Sequence, residues 1–415
     1  MASGTVTISD VEGAARRVAG MVRRTPLWPS PELSDRLDVP VSLKCESLQR
    51  TGSFKMRGAS NMLAAADPTP TGVVAASAGN HAQGVALAAR ELGLPATVVM
   101  PRLAPLAKRR ATREYGADIE LLDGPLAACQ ERARALAAAS GLLYVPPYDH
   151  PAIVAGQGTL GLEVAEDVPD LGTILVPAGG GGLLAGVAVA VKARRPQARV
   201  VGVQTQAMPG IVESLRADAA LQLPARHTIA DGAAVAGPSA LTLDLVRRHV
   251  DDIVAVSEEE VASALLFLLE TSRLVAEGAG ALGVAALLAA RAETCGHTVA
   301  VVSGGNIDVN RLGWLLARGL AADGRQRTLS VASAHVPGEL ARITGAIADR
   351  GVNIVEIDHD LRSPELPVGV ARVRLRLDVD GAAAFDQLVD SLLAAGFRRG
   401  TATDLETPAA AENPH

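Results

Sequence analysis

The 415-residue sequence has few aromatic residues, few cysteines and no excess of positive charge. Phe, Trp and Tyr together make up 2% of the residues, so the core must be built from small and branched aliphatic side chains, which suits closely packed α/β layers. A hydrophobic content of 48% excludes a globally disordered chain. The formal net charge of -6 argues against general affinity for nucleic acid or for an anionic membrane surface.

The three cysteines, Cys45, Cys129 and Cys295, are far apart and form no Cys-x-x-Cys pair. This spacing predicts neither a disulfide framework nor a structural zinc site, and the sequence shows no other metal-ligand spacing. Because the cysteines are few and unpaired, a reducing cytoplasm is the expected location. The N-terminal region carries early charges and lacks the apolar segment of a secretory signal. The apolar stretch 278–290 is bounded by charged residues, which favours a buried helix over a bilayer span.

Short β-branched runs alternate with helical stretches rich in Ala and Leu. This alternation predicts βαβ units and an α/β fold whose mostly parallel sheets are covered on both faces. The predicted strands are 73–76, 97–100, 119–122, 173–176, 199–203, 253–256 and 298–302. The predicted helices are 83–92, 126–139, 183–192, 258–269 and 279–290.

The pattern changes at the polar, glycine-interrupted segment 321–327, which we interpret as a linker. Beyond it, the order strand, helix, strand, strand, helix is typical of a split βαβ unit. These elements are predicted at 328–335, 338–350, 353–360, 368–379 and 382–395. The polar residues 401–415 are expected to form a flexible tail.

The first motif with chemical potential surrounds Lys55, which follows Ser53 and Phe54. Ser53 is a candidate N-cap, and a lysine at a helix N-terminus meets the positive end of the helix dipole. That position favours the neutral, nucleophilic amine needed for Schiff-base formation. On these terms alone a solvated surface lysine remains the simpler explanation.

The second motif, Ser77, Ala78, Gly79, Asn80 and His81, directly follows the predicted strand 73–76. A turn from strand to helix presents free backbone N–H groups, which bind a carboxylate or phosphate well. The Asn80 amide can hydrogen-bond a phenolic oxygen or a carbonyl. An ordinary turn is equally compatible with this segment, and His81 by itself is more typical of a packed histidine than of a catalyst.

The third motif is a run of four glycines after the predicted strand 173–176, followed by Leu183. Its members are Gly179, Gly180, Gly181 and Gly182. Four glycines are costly in chain entropy, so the run favours a phosphate cradle at a helix N-terminus over a flexible loop. The run also fits a dinucleotide fingerprint, but the next strand leads into Gln204 where an acidic residue is needed, and no Walker lysine follows. The phosphate is therefore not expected to belong to NAD or ATP.

The fourth motif is Ser303-Gly304-Gly305-Asn306, after the predicted strand 298–302. A serine at the carboxyl end of a parallel strand can point into the crevice where such sheets bind ligands. In isolation, the segment is a routine turn.

Together, in this order, the four motifs resemble the pyridoxal-phosphate enzymes of the tryptophan-synthase-β type, and within them the threonine/serine dehydratase family. The similarity covers about residues 7–321. It implies a fold type II architecture over residues 1–322, with a smaller subdomain inserted at about 52–155.

The resemblance also implies roles for the motif residues. Lys55 would bind the cofactor covalently and act as the catalytic base, with Phe54 lying against the cofactor. Asn80 would bond the cofactor's 3′-oxygen, and Ser303 would meet its pyridine nitrogen. The phosphate would be held by Gly179, Gly180, Gly181, Gly182 and Leu183, and the substrate carboxylate by Ser77, Ala78, Gly79, Asn80 and His81. The role of Glu277 stays open between an acidic group near the ring and a buried ion-paired glutamate.

The activity implied is the β-elimination and deamination of L-threonine, with L-serine as a second substrate. A serine-preferring dehydratase and a serine racemase are alternatives within the family. Racemases of the group carry a serine where this chain has Ala78, so racemisation is expected to be poor. A nicotinamide oxidoreductase is disfavoured by Gln204, and a non-catalytic amino-acid sensor would be expected to have lost Lys55.

Residues 328–400 resemble an ACT domain, a small ligand-sensing module. The similarity lies in the segments 336–340 and 351–354. It implies a homo-oligomer, dimer or tetramer, whose activity responds to an amino-acid effector. A module that only dimerises is the alternative.

Overall fold

The computed structural model describes residues 5–362 and 366–399. The predicted tail, 401–415, lies outside the described residues. The chain divides into two compact units, Met1–Gly313 and Trp314–His415. This boundary lies inside the helix Val309–Ala322, whereas the polar segment that we interpret as a linker covers the end of that helix and the start of the next strand. No helix in the described ranges is both long and apolar enough to cross a membrane.

The α-helices are listed here in chain order. They are α1 Ile8–Val18, α2 Pro31–Leu37, α3 Lys55–Ala64, α4 Asn80–Glu91, α5 Leu106–Glu114, α6 Leu126–Ser140, α7 Pro151–Asp167, α8 Gly182–Arg194, α9 Gly210–Arg216, α10 Ala240–His249, α11 Glu258–Ser272, α12 Leu282–Leu288, α13 Val309–Ala322, α14 Glu339–Ala348 and α15 Gly381–Ala394. Short 3-10 turns occur at Glu46–Leu48, Asp231–Ala233 and Gly278–Ala281.

The β-strands follow the same order along the chain. They are β1 Leu27–Pro29, β2 Val41–Cys45, β3 Val73–Ala76, β4 Ala96–Pro101, β5 Asp118–Leu122, β6 Leu143–Tyr144, β7 Leu171–Pro177, β8 Arg199–Thr205, β9 Asp252–Val256, β10 His297–Val302, β11 Gln326–Ala334, β12 Asn353–Asp360, β13 Val370–Asp378 and β14 Arg398–Arg399.

The first unit contains two sheets. The larger has the strand order β1-β2-β10-β7-β8-β9 and is parallel except for the β1–β2 pair. The smaller has the order β5-β4-β3-β6 and is parallel throughout. The predicted α/β fold with mostly parallel sheets is confirmed, and every predicted strand coincides with an observed one to within two residues at either end.

Small residues replace the missing aromatics in this core. Helix α8 is buried on all sides from Gly182 to Val191 and packs against α7. A Cβ atom at Gly186 would collide with the Val154 carbonyl, and one at Gly158 would lie 2.7 Å from the Gly186 carbonyl oxygen. The two helix backbones therefore approach too closely for any larger side chain, which accounts for the glycines of α7 in a helix that the sequence patterns did not predict.

The predicted helix 279–290 required a correction. A 3-10 turn, Gly278–Ala281, precedes α12, and α12 itself ends at Leu288. Both segments are almost completely buried, so apolar periodicity cannot separate one from the other.

The second unit has an antiparallel sheet of order β12-β13-β11-β14 with helices α14 and α15. Its chain order is β-α-β-β-α-β, the split βαβ arrangement expected from the sequence. The core includes Val331, Leu375 and Leu388, together with Ile343 and Ile347 from the apolar face of α14.

Candidate active site

Three of the four motifs lie at carboxyl ends of parallel strands. Ser77 directly follows β3, Ser303 directly follows β10, and Gly179 is separated from the end of β7 by one residue, Ala178. Ligands of open parallel sheets bind in the crevice outside these strand ends. The fold therefore places the three loops on the edges of the two sheets where a ligand site is expected.

Lys55 is joined to the Ser303 segment by backbone pairing. Ser53 forms a β-bridge with Gly304, and the Phe54 N–H donates to the Ser303 carbonyl at 3.1 Å. This pairing corrects the expected cap: Phe54 occupies the N-cap position of α3, and the buried Ser53 hydroxyl has no hydrogen-bond partner among the described residues. The helix begins at Lys55 without a side-chain cap.

The Lys55 amine lies in a desolvated position. Burial lowers its pKa from 10.5 to about 8, although the negative charge of Glu277 opposes this change. Nζ donates a hydrogen bond to the Pro147 carbonyl at 2.9 Å and lies 5.2 Å from the centroid of the Phe54 ring. The amine is therefore close to the pH at which it becomes a neutral nucleophile and base.

Helix α3 is anchored by a buried ionic cluster that sequence reasoning missed. Arg57 is fully buried and forms two hydrogen bonds of 2.8 Å to the carboxylate of Glu46. It also contacts Glu163, which accepts a hydrogen bond from Lys44. Burial alone would favour neutral Glu46, but the charge of Arg57 holds the pKa of that carboxyl below its ordinary value. The cluster fixes the helix whose first residue is Lys55.

The Ser77–His81 loop meets the same region. Helix α4 begins at Asn80 with Gly79 as its N-cap and no side-chain cap bond, which leaves its first amides suited to an anion. His81 is buried, its Nε2 lies 2.9 Å from the Val145 carbonyl oxygen, and burial with the nearby charge of Lys55 lowers its pKa to about 3. His81 is thus a neutral, packed histidine.

Asn80 is hydrogen-bonded to Glu277, 197 positions later in the chain. Its Nδ2 donates to Glu277 Oε1 at 2.6 Å. Burial raises the pKa of Glu277 to about 7, and the negative charge of Asp231 adds to the effect. Of the two interpretations of Glu277, the geometry favours the acidic group within the site, because its close hydrogen-bond partner is the Asn80 amide.

A surface ionic cluster borders the Ser77–His81 loop, and no sequence pattern indicated it. Asp231 is shared by Lys108 and Arg311, with N···O distances of 3.2 and 3.0 Å. The Lys108 amine lies 4.0 Å from the position that a Cβ atom would take on Gly79. Lys108 belongs to the basic helix α5, so its charge could not be distinguished in the sequence from a solvated face.

The tetraglycine loop forms a close-packed turn before α8. Gly181 is the N-cap, with a φ of +90° that favours glycine, and no side chain caps the helix. A Cβ atom on Gly180 would lie 2.7 Å from the Tyr148 ring. The Thr242 hydroxyl donates to the Gly180 carbonyl at 2.8 Å and anchors the turn. Bare backbone amides at a helix N-terminus are a fitting site for a phosphate.

The glycine loop and Lys55 contact adjacent residues of one segment. Lys55 bonds the carbonyl of Pro147, and Tyr148, the next residue, packs on the glycines. Ser303, from the fourth motif, is buried, and its hydroxyl has one long contact of 3.4 Å to the Ala279 carbonyl. A buried hydroxyl that is so weakly satisfied is suited to a ring nitrogen.

Comparisons with known proteins agree with this geometry. A family model described as pyridoxal-phosphate dependent enzyme matches residues 18–304. The chain belongs to this family. Pyridoxal phosphate is therefore its cofactor, and the glycine turn, the buried Lys55 amine and the Ser303 hydroxyl are groups that fit that molecule.

Similar proteins include a threonine ammonia-lyase, a threonine deaminase and a serine racemase. The L-threonine ammonia-lyase of Thermotoga maritima is 44% identical over 395 residues, covering 94% of this chain and 98% of that protein. The crystal structure of the T.th. threonine deaminase has a TM-score of 0.70 and 41% identity, covering 73% of this chain and 99% of its own. The structure of maize serine racemase has a TM-score of 0.71 and 34% identity, and the match covers 77% of this chain and 99% of the racemase chain.

Proposed function

We propose that this enzyme converts L-threonine to 2-oxobutanoate and ammonia, and L-serine to pyruvate more slowly. The observation that carries the proposal is the buried Lys55 amine, whose pKa of about 8 suits a base, beside a loop suited to a carboxylate. The Thermotoga maritima protein, whose name states this activity, is similar over almost the whole chain. A pocket that accepts a β-methyl group tolerates its loss at modest cost, which accounts for serine as the second substrate.

The proposed cofactor contacts follow the motifs. When bound, pyridoxal phosphate supplies an aldehyde for covalent attachment of amines and a ring that stabilises negative charge at the substrate Cα. Lys55 provides the attached amine and Phe54 lies beside it. The amides of the turn from Gly179 to Leu183 hold the phosphate, and Ser303 meets the ring nitrogen.

The chain's own residues then guide the proton and the leaving group. The amides of the Ser77–His81 loop would bind the substrate carboxylate. Once the substrate amine has replaced Lys55 on the cofactor, the freed Lys55 amine would take the Cα proton. The β-hydroxyl would take a proton from a group near the cofactor phosphate and leave as water. The released enamine would tautomerise to an imine, which water hydrolyses to the 2-oxo acid and ammonia. Ser303 is neutral and would not enforce a charged ring, so negative charge at Cα would be stabilised less than with a carboxylate partner. This favours prompt elimination over transamination, which needs a longer-lived carbanion.

Serine racemisation is the second candidate, because maize serine racemase is a structural neighbour at 34% identity. Racemisation requires a group that returns a proton to the second face of Cα. The residue before Gly79 in this chain is Ala78, which has no ionisable side chain. We therefore expect D-serine formation to be far slower than pyruvate formation, and chiral chromatography of serine reactions measures both.

The decisive experiment compares L-threonine and L-serine turnover in the wild type and in Lys55→Ala. Borohydride treatment of the wild type should fix the cofactor to the peptide that contains Lys55, as mass spectrometry would detect. The variant should lose both the labelling and the 2-oxo acid product. Full turnover in Lys55→Ala would refute the assignment of the base.

We further propose that the second unit is an ACT-like regulatory module and that the enzyme is a cytoplasmic homo-oligomer. The β-α-β-β-α-β order of the second unit supports an ACT-like fold, and the similarity to the Thermotoga maritima protein, which covers 94% of this chain, extends into this unit. Calorimetry of the full chain with isoleucine and valine should detect effector binding. Truncation after Gly324 should keep turnover and remove the response, and unchanged inhibition would place the effector elsewhere.

A further inference from the structure

Three side chains from distant parts of the sequence form a chain of hydrogen bonds, which we name the amide relay: Asn306, Asn80 and Glu277. Asn306 Nδ2 donates to Asn80 Oδ1 at 2.9 Å, and Asn80 Nδ2 donates to Glu277 Oε1 at 2.6 Å. The relay ends at the Glu277 carboxyl on one side and at a backbone carbonyl on the other: Asn306 Nδ2 also donates to the Thr51 carbonyl at 2.6 Å. Asn306 has no role in the proposed chemistry.

The direction of the relay is determined by the Thr51 carbonyl. A backbone carbonyl only accepts hydrogen bonds, so the Asn306 amide must turn its NH2 group toward it. That nitrogen also faces Asn80, which therefore presents its own oxygen to Asn306. The Asn80 NH2 group is left on the opposite side, where Glu277 accepts one of its two hydrogens.

The Asn306 amide packs closely against Gly52, and its orientation is set by its hydrogen bonds to the Thr51 carbonyl and Asn80. Gly52 has a φ of +71°, and a Cβ atom at this position would collide with Asn306 Oδ1. The Gly305 N–H donates to the Gly52 carbonyl at 2.9 Å, which pins the two segments together. The Asn306 side chain thus lies flat against a glycine in the loop that leads to Lys55.

We infer that Asn306 is a positioning residue that holds the Asn80 amide with its N–H groups, and not its oxygen, toward the cofactor. The inference rests on the proposed contact between Asn80 and the cofactor's 3′-oxygen. One hydrogen of Asn80 Nδ2 is used by Glu277, and the second is available to an oxygen of the bound molecule. An inverted amide would present oxygen to oxygen and would weaken binding.

A double-mutant cycle tests this role through cofactor affinity. Glu277→Gln alone should change the affinity of the cofactor-free protein for pyridoxal phosphate less than about twofold, because Asn306 still directs Asn80. Asn306→Ala alone should cost a few-fold, since Glu277 still accepts from Asn80. With both changes neither end sets the direction, and the loss should exceed the product of the single losses by at least about fivefold. Absorbance titration with pyridoxal phosphate measures each value, and the band of the bound cofactor should move in the double variant.

The matched control is Asn310→Ala, the same deletion at an exposed position on α13. Its effect should be additive with that of Glu277→Gln. If Asn306→Ala fails to fold, Asn306→Ser takes its place in the double-mutant cycle, because the serine hydroxyl can still donate to the Thr51 carbonyl. Additive losses at position 306, with an unshifted absorption band, would overturn the positioning role. A folded wild type that takes up no pyridoxal phosphate would instead refute the proposed function itself.

Discussion

Replacing Lys55 by methionine should make the cofactor-free protein more stable while abolishing catalysis. The amine is held where burial lowers its pKa from 10.5 to about 8. Each tenfold change in proton affinity corresponds to about 1.4 kcal/mol, so keeping this group charged costs folding about 3 kcal/mol. Methionine has a similar shape and no charge. Its thioether cannot donate a hydrogen bond to the Pro147 carbonyl, and the loss of that bond costs about 1 kcal/mol of stability. The expected net gain is about 2 kcal/mol.

The gain should depend on pH in a defined direction. Below pH 8 the wild-type amine is protonated in both the folded and unfolded states, so the full cost is present. Between pH 8 and 10.5 the unfolded chain binds more protons than the folded one, and wild-type stability rises. Above pH 10.5 the cost disappears, and only the lost hydrogen bond distinguishes the variant, which should then be slightly the less stable protein.

Urea unfolding of the cofactor-free proteins at pH 7 and pH 11 measures this difference. A Trp314→Phe background leaves Trp28, in the first unit, as the sole tryptophan reporter. Lys192→Met is the control, because Lys192 is paired with Asp251 at a partly exposed site and its replacement should bring no gain. Equal stability of the wild type and Lys55→Met at pH 7 would refute the reasoning that burial of this charged amine destabilises the folded protein.

Three further predictions concern the cofactor site and its support. The rate of reconstitution with pyridoxal phosphate should rise with pH and level off above about pH 8, where Lys55 is neutral; stopped-flow absorbance would show it, and a flat profile would contradict it. Gly180→Ala should weaken cofactor binding because its methyl group meets the Tyr148 ring, whereas Gly345→Ala, with open space around it, should not; absorbance titration compares the two. Arg57→Met should destabilise the protein by about 3–5 kcal/mol in urea unfolding, because it leaves a buried carboxylate without its cation.

The local elements of the fold could be predicted because their signals are local. β-branched runs mark seven of the ten strands in the two sheets of the first unit, and the sequence patterns did not predict β1, β2 and β6. A loop that follows a strand in sequence also follows it in space. Three of the four motifs are of this kind, so their position at strand ends was predictable from the sequence, whereas the Lys55 motif lies at the start of a helix. Their individual roles stay predictions, which the experiments above address.

The contacts that tune the site were not predictable, because each joins residues that are far apart in sequence. The Asn80–Glu277 bond and the Arg57–Glu46 pair depend on how separate elements pack, and no periodicity encodes them. Ser53 shows the same limit within one motif. A serine before a helix is a good cap by composition, yet its β-bridge to Gly304 leaves Phe54 in the cap position.

Burial of this site acts on its two central ionisable groups in opposite directions. Removing water disfavours the charged form of each, so the pKa of the Lys55 amine falls to about 8 while that of the Glu277 carboxyl rises to about 7. Groups that differ by about six pKa units in water are thereby brought within about one unit of each other. The two groups can therefore exchange a proton near neutral pH at little cost in free energy. The small-residue packing that excludes water from the core is therefore part of the chemistry, because a looser site would return both groups to their ordinary pKa values.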